Sequence, residues 1–222
     1  MANFKCHCSM DDCFYCLSMK KEIIIDGKPF EYESESLTVM DAPVITAEQA
    51  KAVLFKAKEL LDEYGLEFGL IYGTLLGAIR EHNFISHDYD VDVYIRNEQK
   101  LLSSIPELDK GGLKLCRVTE GRLYSFRYGK AYIDLYVLRR APFPFNTYCY
   151  FVGSDVLPKK YFDKTKFVDF LGRQFRVPQD AEGLMQLCYG KTWRIPIKGD
   201  TGRCNVYPVY LYRKIKKWIH SK

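Results

Sequence analysis

Asp90 and Asp92, in Asp90-Val91-Asp92-Val93-Tyr94-Ile95, and Asp134, in Tyr132-Ile133-Asp134-Leu135-Tyr136, are the residues whose type and spacing most directly suggest chemistry. Acidic and apolar residues alternate with a strand's two-residue period, which puts Asp90 and Asp92 on one face of a half-buried strand. Two carboxylates about 6 Å apart repel by roughly 3 kcal/mol at an effective dielectric near 20, so a cation belongs between them. Carboxylate oxygens favour a hard ion, Mg²⁺ or Mn²⁺, over zinc or copper. A neighbouring strand carrying Asp134 would add a third carboxylate. Upstream, Gly73-Thr74 offers backbone N–H groups and a hydroxyl to a phosphate at a helix start, and Arg80 would neutralise a second phosphate. Taken singly, the aspartates read as the solvated face of an edge strand and Gly73-Thr74 as an ordinary turn. Together they favour a metal–phosphate site.

The elements that must position these residues can be read from periodicity. Thr46, with Gln49 three residues on, caps a helix whose apolar face is Val53, Leu54, Ala57, Leu60, Leu61 and Tyr64, ended by Gly65. A strand over Phe68–Tyr72 leads through Gly73-Thr74 into a brief helix carrying Leu75, Leu76, Ala78 and Ile79. After the Asp90–Ile95 strand come three more, Leu113–Val118, Leu123–Tyr128 and Ala131–Leu138, and then a helix over Asp180–Tyr189 closed by Gly190. These elements predict an α+β fold, a mixed β-sheet flanked by helices. Residues 1–40, with a cysteine cluster and an Asp26-Gly27 turn after a β-branched run, form a small Cys-rich appendage, and residues 41–222 form the main domain.

Two blocks carry a family resemblance. Tyr72-Gly73-Thr74-Leu75-Leu76-Gly77-Ala78-Ile79-Arg80 with Phe84-Ile85-Ser86-His87-Asp88-Tyr89-Asp90-Val91-Asp92 resembles the hallmark of the LicD/fukutin family of the nucleotidyltransferase superfamily. Phe175-Arg176-Val177-Pro178, followed by Leu184, Leu187 and Tyr189-Gly190-Lys191-Thr192-Trp193, resembles that family's C-terminal helix and ending. His87 stands where the family usually has Trp, and Tyr89 interrupts an acidic run. The resemblance implies a nucleotidyltransferase-like sheet and transfer of phosphocholine, ribitol phosphate or a similar phospho-alcohol from a CDP-linked donor to a sugar hydroxyl of a glycan or glycolipid, with CMP released. It implies Asp90 and Asp92 as metal ligands, Asp134 as third ligand or as the base, and Gly73, Thr74, Arg80, His87, Asp88, Lys191 and Trp193 as substrate contacts. The rival functions are a nucleotidyltransferase that attaches NMP from an NTP to a small molecule or protein, and a non-catalytic binding module.

The totals narrow the partners. With 47% hydrophobic and 15% aromatic residues the chain can bury a sizeable core. Its 33 basic and 28 acidic residues give a net charge of +5, a mild excess that suits an anionic substrate and predicts no nucleic-acid partner. Leu66 to Ile79 is too short and glycine-broken to span a bilayer, and the N-terminus has no apolar signal region, which predicts a cytoplasmic chain. Cys6, Cys8, Cys13 and Cys16 supply enough thiolates for one structural Zn²⁺ or else stay free, and Cys116, Cys149, Cys188 and Cys204 read as small core residues. The basic, aromatic tail from Tyr207 to Lys222 either packs on its own domain or makes a peripheral membrane contact.

Overall fold

The computed structural model describes residues 19–35, 44–86, 88–141, 143 and 145–196. The cysteine cluster, His87, Cys204 and the basic tail lie outside the described residues.

The chain begins with a hairpin, β1 (Met19–Ile25) and β2 (Lys28–Ser34), turned by Asp26 and Gly27, both at positive φ. Ile23, Ile25 and Tyr32 of this hairpin join the main core, and Glu35 pairs with Arg127. The hairpin therefore packs on the main core. Helix α1 (Ala47–Glu63) has the capping box at Thr46 and Gln49, and buries Ala50, Val53, Leu54, Ala57, Leu60 and Leu61. β3 (Phe68–Leu70) is shorter than its apolar run, because Tyr72 already opens α2 (Tyr72–Arg80). β4 (Val91–Ile95) is followed by α3 (Glu98–Lys110), capped by the Asn97 side chain. Then come β5 (Lys114–Thr119), β6 (Leu123–Tyr128), β7 (Ala131–Arg140), β8 (Cys149–Val152), β9 (Asp155–Pro158), the short α4 (Lys160–Asp163), the hairpin β10 (Thr165–Phe170) and β11 (Arg173–Pro178), and α5 (Ala181–Tyr189).

The main sheet runs β3-β4-β7-β6-β5, with β8 and β9 continuing from β7. β4 and β7 are parallel and the other pairings antiparallel, so the sheet is mixed, as expected. α1 packs on β4, β6 and β7, and its apolar stripe shares one core with the aliphatic rows Val91, Val93, Ile95 and Ile133, Leu135, Val137. Every residue of β4 is buried, so this strand is covered on both faces and not half-exposed. Among the described residues no helix is long and apolar enough to cross a membrane. Cys116, Cys149 and Cys188 are all buried, the first two as free thiols and Cys188 in a disulfide.

Gly77 sits mid-helix in α2, where a Cβ would come within 2.5 Å of the Asn83 carbonyl oxygen. Backbone cannot move aside as a side-chain tip can. Gly77→Ala is therefore expected to lower stability by about 1–2 kcal/mol, overpacking outweighing the gain in helix propensity. A thermal melt that is unchanged or raised would contradict this.

Candidate active site

Strand register builds the site. Arg117 on β5 lies opposite Ser125 on β6, Ser125 opposite Asp134 on β7, and Asp134 opposite Asp92 on β4. Directly opposed residues point to the same face, so these four side chains form one row across four strands. Asp90, just before β4, joins its end: one oxygen each from Asp90, Asp92 and Asp134 lies within 4.8 Å of the others. Asp92 and Asp134 are buried, at 6% and 1% exposure, and Asp90 is half-buried.

Each carboxylate is held by named partners. Asp92 Oδ2 accepts from the Gly73 N–H at 3.2 Å, and the Asp92 N–H donates to Thr74 Oγ1 at 2.8 Å. The first turn of α2 thus braces Asp92, and Thr74, 1% exposed, is used within the fold. The Gly73 Cα lies against the Asp88 carboxylate, which any Cβ there would overlap. Asp134 Oδ1 accepts from Ser125 Oγ at 2.6 Å, and Oδ2 accepts from Arg117 Nη2 at 2.6 Å and Tyr136 Oη at 3.4 Å. The Tyr132 hydroxyl opposes the rise of the Asp90 carboxyl.

Other expected contacts lie elsewhere. Arg80 is seven residues along α2 from Gly73, about 10 Å at the helical rise. There it bonds Glu81 and donates to the Trp193 carbonyl at 3.0 Å. Trp193 is 4% exposed and part of the core, under the Arg194 guanidinium, and Lys191 is exposed. The two motif blocks thus meet at the C-terminal end of α2. Arg117, Ser125, Tyr132 and Tyr136 went unremarked in the sequence. The alternation that placed Asp134 also puts Tyr132 and Tyr136 on its face, whereas no local pattern marks Arg117.

Burial drives the electrostatics. Asp90 is pushed up to about 8 by desolvation and then by the charges of Asp134 and Asp88. Asp88 rises to about 6 through burial, and Asp92 lies well above the usual carboxylate range through burial and its three acidic neighbours. Asp134 is raised by burial against the opposing pull of Arg117, Ser125 and Tyr136. The folded cluster therefore holds protons that the unfolded chain has released. Without a cation, stability is fully present below the ordinary carboxylate value near 3.8 and is lost as pH rises through about 8. Melts in a chelator are expected to show the melting temperature falling between about pH 5 and about pH 8, with Mg²⁺ flattening the fall. A rise over that range would show that the acids are not in repulsion.

A cleft of 270 Å³ opens beside the row, with Asp88 and Asp90 on its wall and Ala50 and Phe84 beneath. Three oxygens of one hard type, close together, buried and mutually repelling, fit a divalent cation of the Mg²⁺ class.

The family described as "LicD/FKTN/FKRP, nucleotidyltransferase domain" matches residues 65–180, more than half of the chain and all of the carboxylate row. The chain belongs to the LicD/FKTN/FKRP family. It is 27% identical over 170 residues to "Ribitol-5-phosphate transferase FKTN" of Homo sapiens, an alignment spanning 67% of this chain and 34% of that protein. With the Mus musculus protein of the same name it shares 28% over 171 residues, 70% of this chain and 35% of the other. The chain thus spans about a third of the length of these relatives. Among solved structures, the lincomycin-bound lincosamide antibiotic adenylyltransferase LnuA aligns with TM-score 0.46 and 12% identity, over 64% of this chain and 85% of that one. The antibiotic-resistance factor ANT(2'')-Ia aligns with TM-score 0.45 and 14% identity, over 60% and 66%.

Proposed function

We propose that this LicD-family domain is a Mg²⁺- or Mn²⁺-dependent transferase. It moves a phospho-alcohol, of which ribitol phosphate is the reading favoured by the relatives' name, from a CDP-linked donor to a sugar hydroxyl of a glycan, releasing CMP. The observation that carries the reading is the convergence of Asp90, Asp92 and Asp134 beside an open cleft.

Asp90, Asp92 and Asp134 would hold the cation, which when bound supplies charge stabilisation at the phosphate and the leaving oxygen. Gly73 and Thr74 keep Asp92 aimed at the site by its side chain and its backbone. Arg117 and Ser125 engage both oxygens of Asp134, which is 1% exposed. Buried and with both oxygens engaged, Asp134 suits the ligand better than the base of its two expected roles. Asp88 lines the cleft and stands outside the triad, and is the group that takes the acceptor's proton. The new bond joins the acceptor oxygen to the phosphorus of the phospho-alcohol, and the bond from that phosphorus to CMP breaks.

The released product tests this. Incubation with CDP-ribitol or CDP-choline and a glycan acceptor is expected to yield CMP, and Asp88→Asn is expected to lower turnover at least roughly a hundredfold while Mg²⁺ affinity stays close to wild type. Pyrophosphate from CTP or ATP would instead make the chain a transferase of nucleotides, the activity its domain's description suggests. Absence of Mg²⁺ and Mn²⁺ binding by calorimetry would leave a binding module.

A further inference from the structure

Tyr72 stands at the start of α2 with φ at +47°, a left-handed backbone that a bulky side chain rarely adopts. Such strain persists only where the surroundings over-determine it. Glycine would take this backbone freely, so what tyrosine adds here is its side chain. That side chain makes two long-range contacts. The hydroxyl donates to the Val152 carbonyl on β8 at 3.0 Å, and the ring meets the Tyr136 ring of β7 edge-on, with 5.0 Å between centres. Burial, and after it the Asp155 charge, hold the phenol well above its ordinary range, so the hydroxyl keeps the proton that it donates. Val152 pairs with Leu138, two residues beyond Tyr136, and the Gly153 Cα approaches the Tyr136 ring so closely that a Cβ there would lie 3.0 Å from it. The turn after β8 thus clasps both tyrosines.

We infer that Tyr72 is a positioning residue for two of the three carboxylates: pinned to β8, it fixes the turn that holds Asp92, and its ring holds Tyr136 against Asp134. The inference rests on the transferase reading, since it takes Asp92 and Asp134 as metal ligands. One arm runs through the backbone. Tyr72 leads directly into Gly73, whose N–H reaches Asp92 Oδ2 at 3.2 Å, and Thr74, whose hydroxyl accepts the Asp92 N–H at 2.8 Å. Once the strained φ relaxes, both donor and acceptor swing away from Asp92. The other arm runs through the ring. Tyr136 Oη meets Asp134 Oδ2 at 3.4 Å, a long contact that depends on where the Tyr136 ring is held. β8 and the turn after it therefore take part in the site, although none of the three carboxylates lies on them. A ligand set already held in place loses less freedom on binding the cation, which is what Tyr72 contributes.

Mg²⁺ titration calorimetry on the full chain tests this, comparing Tyr72→Phe, Tyr72→Leu and Tyr124→Phe with the wild type. Tyr124→Phe is the control: Tyr124 is 1% exposed, lies opposite Leu135 on the other face of the sheet, and donates its hydroxyl to Glu98 Oε1 at 2.7 Å. Tyr72→Phe is expected to weaken Mg²⁺ binding roughly fivefold to tenfold, the effect of one lost hydrogen bond. Tyr72→Leu also gives up the ring contact and is expected to weaken it further. Tyr124→Phe is expected to melt at a lower temperature with its Mg²⁺ affinity unchanged. In turnover assays the Tyr72→Phe defect is expected in the Mg²⁺ concentration giving half the maximal rate, with the rate at excess Mg²⁺ close to wild type. A Tyr72→Phe protein that melts lower yet binds Mg²⁺ as the wild type does would overturn the inference, and so would an equal loss of affinity in Tyr124→Phe. Should Tyr72→Leu fail to fold, Tyr72→Phe, which keeps the ring, decides alone. An unaltered Mg²⁺ affinity in Tyr72→Phe removes only the positioning role, whereas a wild type that binds no Mg²⁺ removes the transferase reading beneath it.

Discussion

Asp92→Asn is expected to remove divalent-cation binding and at least roughly a hundredfold of turnover, yet to raise the melting temperature of the metal-free protein. Asp92 is 6% exposed, and burial together with the charges of Asp90, Asp88 and Asp134 holds its carboxyl well above the ordinary range. Asparagine keeps the shape, the Oδ acceptor for the Gly73 N–H and the backbone N–H that reaches Thr74. What it removes is the cost of burying a carboxyl that must either stay charged among three acids or be held protonated above its ordinary range. Relief of about 2 kcal/mol, the scale of one like-charge contact at effective dielectric 20, would raise the melting temperature by roughly 4–8 °C in a domain of this size. With saturating Mg²⁺ the order is expected to reverse, because only the wild type gains from binding. Near wild-type turnover in the variant, or a lower melting temperature in chelator, would place Asp92 outside the metal centre.

Arg117→Met carries the second large effect, in the opposite direction. Its guanidinium meets Asp134 Oδ2 at 2.6 Å and Ser125 Oγ at 2.9 Å, with side-chain exposure of 25% for Arg117 and 2% for Asp134. Removing one partner of a buried pair strands the other, and with Arg117 a quarter exposed the expected loss is about 2–3 kcal/mol in the metal-free protein. Asp134→Asn in the Arg117→Met background is expected to recover most of it, because the stranded charge is then gone. Thermal melts of both single variants and the double variant form the cycle. Additive effects would mean that the contact contributes little coupling. Excess Mg²⁺ should shrink the loss in Arg117→Met, since the cation provides the countercharge that the guanidinium no longer gives.

Much of the architecture was legible locally. Capping at Thr46, the apolar stripe of α1, the Asp26-Gly27 turn, the strands β6 and β7 and the stop at Gly190 each rest on contacts a few residues apart, and the structure has them. α3 escaped the reading because Pro106 and the Ser103-Ser104 pair obscure its helical period, although Asn97 caps it. β8–β11 escaped because short strands give little periodicity to read. The half-exposed character expected of β4 failed because a strand's sequence does not show what covers its polar face.

The aspartates and their two-residue spacing, the glycine that lets α2 begin beside them, and the charge that demands a counterion were all determined by the sequence alone. Only the tertiary structure decided that Asp92 stands opposite Asp134, since β4 and β7 are neighbours in the sheet but far apart in the chain. It also decided that Arg117 completes the row. A bulge between Leu115 and Arg117 shifts the register against β6 by one residue, which turns Arg117 and not Cys116 toward the carboxylates. Local pattern fixes which face a residue occupies within its own strand, whereas a site shared by four strands depends on pairing and register, and these are set by the packing of the whole domain.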